Sequence, residues 1–261
     1  MMINSSNMDK KFLAIIPARY ASTRFPAKPL AQLGGKTIIQ RVYERVAKVF
    51  PQLCVATDDE RIYSEVERFG GIAVMTSVHH KSGTDRCYEA MQKMGGSPDV
   101  VVNIQGDEPF IAESQLRSIM QCFDDESTEI ATLVKPFTAD TPIEDIENPN
   151  SPKVVVSNDG FALYFSRSVI PYLRGVSRSD WAKHHTFLKH IGLYAYRAAA
   201  LQQITSLPLG DLEQCESLEQ LRWLQAGLKI KVASTDVETI GIDTPEDLQK
   251  AESYLQKHAE Q

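Results

Sequence analysis

The chain has 261 residues, of which 43% are hydrophobic and 24% are charged, and its formal net charge at pH 7 is −6. This composition excludes an intrinsically disordered chain and leaves enough apolar residues for a substantial core. The mild acidic excess disfavours nucleic acid or a membrane surface as a partner, because proteins that bind either usually carry a basic patch. No apolar run reaches the roughly 20 residues that a membrane span needs.

The N-terminus and the cysteines indicate the compartment. The opening MMINSSNMDKK is polar and has no apolar segment before Phe12, so we expect no signal peptide. The cysteines lie far apart and without C-x-x-C spacing, at Cys54, Cys87, Cys122 and Cys215. This pattern predicts reduced thiols in a cytoplasmic protein and favours neither disulfides nor a zinc site.

Apolar runs alternate with helical patterns through the first half of the chain. Strands are predicted at 12–16, 53–57, 72–76 and 100–104, and helices at 38–49, 60–69 and 85–94. This alternation predicts a parallel sheet with right-handed crossovers. Ligands of such sheets bind just beyond the carboxyl ends of the strands.

The pattern changes after about residue 129. Strands are predicted at 129–137, 191–196 and 229–234, a β-hairpin at 154–165 around Asp159-Gly160, loops at 138–152 and 174–186, and helices at 211–226 and from Thr244 onward. We therefore predict a single α/β domain over residues 1–261, with a hairpin-containing insert at about 138–190 that would act as a lid or a dimer surface.

The distribution of charge is more informative than its sum. Between Lys10 and Tyr43 there are seven basic residues and no acidic residue. A solvated basic face is one interpretation of this stretch. An anion-binding site is the sharper interpretation, because the basic stretch begins where the first predicted strand ends.

The loop 17–30 within this stretch offers backbone N–H groups, hydroxyls and three cationic side chains between prolines. It lacks the G-x-G-x-x-G pattern of dinucleotide-binding folds and the G-x-x-x-x-G-K-[ST] pattern of ATPases. A triphosphate suits it, because arginine binds phosphate with two parallel hydrogen bonds and lysine acts as a point charge.

Six segments occur in a recognisable order: IIPARYASTRFPAKPL, NIQGDEPF, YFSR, HIGLYAYR, LEQLR and GIDTPEDL. Together they closely resemble the 3-deoxy-manno-octulosonate cytidylyltransferase family, from about residue 12 to about residue 255. The resemblance implies a three-layer, Rossmann-like α/β fold of the nucleotide-diphospho-sugar-transferase type, with a mixed, mostly parallel sheet. It also implies a homodimer that activates the acid sugar 3-deoxy-D-manno-octulosonate (KDO) with CTP, giving CMP-KDO and pyrophosphate for lipopolysaccharide biosynthesis.

The resemblance also implies roles for individual residues. Arg19, Lys28, Asp107 and Asp243 would be catalytic, with Asp107 and Asp243 binding Mg²⁺. The CTP-binding set would be Arg19, Ser22, Arg24, Lys28, Ser82, Gly83 and Gln105. The KDO-binding set would be Arg86, Gln105, Arg167, His190, Tyr194, Glu219 and Gln220. In this chemistry two carboxylates suffice for Mg²⁺, since phosphate oxygens and water complete its coordination.

Each assignment has a purely structural alternative. Asp107 could stabilise a turn, and Asp243 could favour a helix dipole. Arg167 could be an ordinary arginine at a strand end, and His190 a satisfied structural histidine.

The remaining alternatives concern a helix face and the paired histidines. Glu219 and Gln220 could be exposed polar residues on a helix. A zinc site at the doublets His79-His80 and His184-His185 is disfavoured, because adjacent histidines point apart.

Three other functions remain as alternatives. The nearest is a cytidylyl- or uridylyltransferase for another sugar acid, such as sialic acid or 8-amino-KDO. A non-catalytic nucleotide-sugar-binding protein is disfavoured because Arg19, Lys28, Asp107 and Asp243 are all present. A dehydrogenase is disfavoured because the glycine fingerprint is missing after the first strand.

Overall fold

The computed structural model describes residues 10–21, 24–237 and 241–258, and the chain forms two compact units. The terminal unit combines the described residues up to 117 with 241–258, and the middle unit comprises 118–237. The predicted insert at about 138–190 lies wholly in the middle unit. The single-domain organisation remains a prediction.

Strands and helices alternate along the terminal unit, as predicted. In chain order over both units, the strands are β1 Phe12–Ala18, β2 Gln32–Leu33, β3 Lys36–Thr37, β4 Leu53–Thr57, β5 Ala73–Met75, β6 Val100–Asn103, β7 Ile130–Pro136, β8 Lys153–Val156, β9 Ala162–Ser166, β10 Leu188–Arg197 and β11 Ile230–Ser234. The helices are α1 Ile38–Val46, α2 Glu60–Arg68, α3 Gly83–Met94, α4 Glu113–Gln121, α5 Ile143–Glu147, α6 Trp181–His184, α7 Ala198–Thr205, α8 Asp211–Glu216, α9 Gln220–Gln225 and α10 Pro245–His258. Short 3₁₀ turns occupy Lys28–Leu30, Cys122–Asp124 and Arg178–Asp180.

The terminal unit contains a parallel sheet in the order β6-β1-β4-β5. Strand β1 lies in its interior, with Ile15 opposite both Cys54 and Asn103. Its apolar residues are buried on both faces, as expected for a parallel strand covered by helices on either side. The carboxyl ends of β1 and β6 therefore lie side by side.

The middle unit contains a mixed sheet. Strand β7 pairs in parallel with β11 and antiparallel with β10, and β10 also contacts β8. The predicted hairpin is confirmed: β8 and β9 pair antiparallel, and Gly160 in their turn has a φ of 82° that favours glycine. The predicted α/β class with a mostly parallel sheet is confirmed.

Several predictions about individual elements were wrong. The predicted helix 211–226 is two helices, because Ser217 adopts a left-handed conformation with a φ of 50°. The predicted loops 138–152 and 174–186 contain α5 and α6, which are stabilised by a small apolar cluster of Ile146, Trp181 and Phe187. Helices α4 and α7 were not predicted.

None of the helices in the described parts of the chain is both long enough and apolar enough to cross a bilayer.

Candidate active site

A polar cleft of about 270 Å³ lies in the terminal unit, beyond the carboxyl ends of β1 and β6. Among the residues that line it are nine of the predicted site residues: Arg19, Arg24, Lys28, Ser82, Gly83, Arg86, Gln105, Asp107 and Asp243. Ser22 lies outside the described residues. The basic loop and the two carboxylates predicted to bind metal therefore share one cleft.

Lys28 lies between the two carboxylates. Its Nζ is 2.5 Å from Asp107 Oδ2 and 3.2 Å from Asp243 Oδ1, and Arg24 Nη2 is 3.1 Å from the same Asp243 oxygen. The Lys28 side chain is only 14% exposed, whereas that of Asp243 is 48% exposed. Opposite charges thus converge on one point, and the Asp243 side of that point is open to solvent.

Asp107 and Asp243 are brought together by the backbone. The N–H of Ile242, a buried residue, donates to the carbonyl oxygen of Asp107 at 2.9 Å. On the other side of Asp243, Thr244 caps α10, because its Oγ1 accepts from the N–H of Asp247 at 3.2 Å. The Asp247 carboxylate accepts in return from the backbone N–H groups of Asp243 and Thr244.

The capping carboxylate of α10 is therefore Asp247. The side chain of Asp243 is left to contact Lys28 and Arg24, which argues against the purely structural role for this residue.

Gly106 allows the backbones of the two strand ends to approach closely. A Cβ atom at this position would lie 3.0 Å from the carbonyl oxygen of Pro17, closer than side chains normally allow. A larger residue would push the Asp107 segment away from the basic loop.

The carboxylate pair fits Mg²⁺. In the structure the Lys28 ammonium already lies between an oxygen of Asp107 and an oxygen of Asp243, so the pair converges on a position that a cation can fill. The described residues contain no cluster of three or more potential metal-ligating side chains. One or two carboxylates are what Mg²⁺ uses when substrate phosphates supply its other ligands.

The segment that begins α3 also lines the cleft. Ser82 caps this helix, with its Oγ accepting from the N–H of Asp85 at 3.1 Å. The preceding loop is fixed by Glu89, whose carboxylate contacts His80 Nε2 and accepts from the N–H of Ser77 at 2.8 Å. Burial opposes ionisation of Glu89, but hydrogen bonds from Lys93, Ser77 and His80 lower its pKa to about 2.

His80 also lines the cleft. The sequence suggested only the disfavoured zinc interpretation for it, and in the structure it is paired with an acid on the neighbouring helix.

Arg86 is the most deeply buried cation of the cleft, at 4% exposure. Its Nη1 donates to Thr76 Oγ1 and its Nη2 to Asp58 Oδ2, both at 2.6 Å. Neither Thr76 nor Asp58 was predicted as a site residue, because neither belongs to a motif that carries the resemblance.

Glu108 is a second carboxyl group beside Asp107. Burial, together with the neighbouring Asp107 charge, raises the pKa of Glu108 to about 8. The neutral form of Glu108 is therefore favoured at neutral pH.

The remaining predicted residues lie in the middle unit, and the aromatic rings of two of them are neighbours. The rings of His190 and Tyr194 are 5.3 Å apart, and Tyr194 in turn contacts Trp223 of α9, the helix that begins with Gln220. Gln220 is 4% exposed, so the alternative interpretation as an exposed polar residue is wrong for it. Its neighbour Glu219 pairs with Arg222 at 2.8 Å.

Two members of this group are kept neutral by burial. Burial lowers the pKa of His190 to about 4 and raises the pKa of Tyr194 well above its usual value. His190 Nε2 is 3.0 Å from Thr132 Oγ1, which fixes the ring.

Arg167 is held by the backbone. Its guanidinium donates to the carbonyl oxygens of Glu216, Pro149 and Ser217 at 2.6, 2.8 and 3.2 Å. It therefore closes the carboxyl end of α8, which is a structural role whether or not it also contacts a ligand.

Comparison with known proteins identifies the family of this chain. Residues 13–230 match the family model described as cytidylyltransferase. The chain is 66% identical over 249 residues to a 3-deoxy-manno-octulosonate cytidylyltransferase of Bacteroides thetaiotaomicron, covering 95% of this chain and all of the relative. It is 65% identical over 247 residues to the enzyme of the same name from Phocaeicola vulgatus, covering 95% of this chain and 98% of the relative.

A solved structure of CMP:2-keto-3-deoxy-manno-octonic acid synthetase complexed with CTP superposes with a TM-score of 0.87 at 42% identity, covering 95% of this chain and 99% of the other. Fold and site thus define an α/β nucleotidyltransferase. The chain belongs to the cytidylyltransferase family and, within it, to the 3-deoxy-manno-octulosonate cytidylyltransferases.

Proposed function

We propose that this protein transfers CMP from CTP to KDO and releases pyrophosphate. The observation that carries the proposal is the cleft in which Lys28 joins Asp107 and Asp243 beside Arg19 and Arg24, in a chain whose close relatives bear the name of this activity. The alternative substrates, sialic acid and 8-amino-KDO, are not favoured by those relatives.

The reaction is a displacement at the α-phosphorus of CTP. The anomeric hydroxyl oxygen of KDO forms a bond to this phosphorus and gives up its proton to solvent. The bond between the α-phosphorus and the oxygen that bridges to the β-phosphorus breaks, and pyrophosphate leaves with that oxygen. No covalent intermediate with the protein is needed, so binding, orientation and charge stabilisation can supply most of the rate.

The cations of the cleft stabilise the negative charge of the triphosphate. We assign Lys28 and Arg19 to the β- and γ-phosphates, where negative charge increases as pyrophosphate leaves. Arg24, which is exposed and contacts Asp243, is assigned a supporting role at the entrance. A fixed cation in a partly dry site stabilises such charge more strongly than water does.

Asp107 and Asp243 would hold Mg²⁺. When bound, the ion supplies charge neutralisation at the phosphate oxygens and helps to orient the attacking hydroxyl. The two carboxylates also keep the Lys28 ammonium inside the cleft before substrate arrives.

The nucleotide and sugar contacts are proposed as follows. Ser82 and Gly83, at the start of α3, would lie against the cytosine, and Gln105 would serve both substrates. Arg86 would bind the KDO carboxylate. The assignment of the middle-unit residues to KDO rests on the resemblance alone and remains a prediction; they are Arg167, His190, Tyr194, Glu219 and Gln220.

The expected homodimer and the cytoplasmic location also remain predictions. Leu163 supports the hairpin as a dimer surface, because it is a large apolar side chain on β9 that is 61% exposed. Sedimentation of the purified protein would determine its oligomeric state.

The decisive experiment is pyrophosphate release with CTP, Mg²⁺ and a panel of sugar acids. We expect turnover with KDO to exceed that with sialic acid and 8-amino-KDO. A higher kcat/KM with either alternative acid would contradict the proposed substrate, and no release with any acid would contradict the activity.

A further inference from the structure

We propose that Asp58 is a positioning residue for the acid sugar and acts through Arg86. The proposal rests on the proposed function, because it takes KDO as the ligand of Arg86. It concerns a carboxylate at the end of β4 that is outside the predicted catalytic, CTP-binding and sugar-binding sets.

Two contacts fix the Arg86 guanidinium, one at each of its terminal nitrogens. Asp58 holds Nη2 and Thr76 holds Nη1, both at 2.6 Å. The side chain of Arg86 is 5% exposed and that of Asp58 is 18% exposed, so water screens the pair weakly. The plane of the guanidinium is therefore set by the protein before any ligand binds.

This arrangement suits recognition of one carboxylate. A guanidinium has five N–H donors, and its contacts with the described residues use two of them. Because Arg86 also lines the cleft, its remaining donors are available to a ligand. Two parallel hydrogen bonds to a carboxylate need a fork whose orientation is already fixed.

Asp58 has no competing structural task in the described structure. The neighbouring Asp59 caps α2, accepting from the N–H of Arg61 at 2.9 Å, and also binds the Arg61 guanidinium. The two adjacent carboxylates at the end of β4 thus have different roles: Asp59 caps α2, and Asp58 orients Arg86. Asp59 is consequently a matched control.

The test compares Asp58→Asn with Asp59→Asn by steady-state kinetics with CTP, KDO and Mg²⁺. We expect Asp58→Asn to raise the KM for KDO about tenfold, the loss of one charge-assisted contact, while kcat and the KM for CTP change less than about twofold. Asp58→Glu should restore part of the loss, since it returns the charge. Asp59→Asn should lower the melting temperature and leave the KM for KDO unchanged.

A double-mutant cycle separates action through Arg86 from an independent effect. In an Arg86→Lys background, which keeps the charge but removes the fork, Asp58→Asn should have no further effect on the KM for KDO. An equal rise in both backgrounds, a rise in the KM for CTP as large as that for KDO, or an unchanged KM for KDO would each overturn the proposal.

A second variant covers the case in which Asp58→Asn fails to fold. Thr76→Val removes the other anchor without leaving an unpaired charge, and should also raise the KM for KDO selectively; an unchanged value would overturn the proposal. Turnover of the wild-type protein distinguishes failure of the proposed function from failure of the role proposed for Asp58. If it releases no pyrophosphate from CTP and KDO, the proposed function fails, whereas normal wild-type turnover with indifferent variants removes only the role of Asp58.

Discussion

The terminal and middle units hold their polar side chains in different ways. In the cleft of the terminal unit, charged groups hold one another, as Lys28 does with Asp107 and Asp243. In the middle unit, the scaffold holds them: Arg167 is fixed by backbone carbonyls and His190 by Thr132 and aromatic rings.

This difference predicts different consequences of substitution. Partly exposed ion pairs contribute little to stability, roughly 0–1 kcal/mol, and can exchange partners when a charged ligand arrives. Groups held by the surrounding scaffold cannot be released without loss of stability. Substitutions in the cleft should therefore change mainly activity, whereas those in the middle unit should also change the free energy of unfolding.

The largest effect is expected for Asp107→Asn. Loss of one of two carboxylates that would bind Mg²⁺ should reduce the rate of pyrophosphate release about 1,000-fold or more, while the melting temperature stays close to that of the wild type. Glu60→Gln, an exposed substitution in the first turn of α2, is the control for lost negative charge. Near-normal turnover of Asp107→Asn would remove the metal assignment.

Lys28→Ala should have the next largest effect. Removing this ammonium should raise the KM for CTP about 30-fold, as expected for one charge-assisted contact to phosphate, and should affect KDO binding less. Lys36→Ala is the matched control, because Lys36 belongs to the same basic stretch but pairs with Glu44. If the CTP dependence of Lys28→Ala equals that of Lys36→Ala, Lys28 does not contact the triphosphate.

The pH dependence of the free energy of unfolding tests the role of His190 in the middle unit. Its pKa of about 4 in the folded protein lies below the ordinary value of about 6.5, so between these values the unfolded chain binds more protons. The contribution of the neutral His190 side chain to the free energy of unfolding is therefore present above about pH 6.5, and it is lost as the pH falls toward 4. Between pH 7 and pH 5 the free energy of unfolding should decrease by about 2 kcal/mol from this residue.

The measurement is urea unfolding at both pH values. His190→Gln should lose this part of the pH dependence, and His184→Gln, at an exposed histidine, should retain it. An unchanged pH dependence in His190→Gln would show that the imidazole is not kept neutral by burial.

Arg167→Lys should have the smallest effect. Lysine keeps the charge but cannot reach three carbonyls with a planar fork, so we expect a loss of about 1 kcal/mol in the free energy of unfolding. Urea unfolding and the KM for KDO should be measured together. A raised KM for KDO with an unchanged free energy of unfolding would show that Arg167 behaves like the charged groups of the cleft. The contrast between the two units would then not hold for Arg167.

Much of the fold could be predicted from periodicity. The strands β1, β4 and β6 are continuous apolar runs, and the start of α10 was evident from Thr244 and Pro245. The break between α8 and α9 was not, because no glycine or proline marks Ser217. Helices α5 and α6 were missed because tertiary packing around Trp181, and not local pattern, stabilises them.

The candidate site, too, could be predicted only in part. The resemblance grouped Lys28 with Asp107 and Asp243, and these three residues line the same cleft and contact one another through Lys28. Contacts with residues outside the shared motifs could not be predicted, because Asp58 becomes a neighbour of Arg86 only through the folding of β4 and α3.

The bond between the N–H of Ile242 and the carbonyl of Asp107 has a consequence for biosynthesis of the protein. Lys28 and Asp243 are separated by 215 positions in the chain. While the ribosome is still translating the middle unit, the emerging polypeptide has Lys28 and Asp107 but lacks the second carboxylate. The cleft gains its full set of charges only after the segment that begins α10 has left the exit tunnel, so the proposed pair of carboxylates cannot form before the whole middle unit has been synthesised.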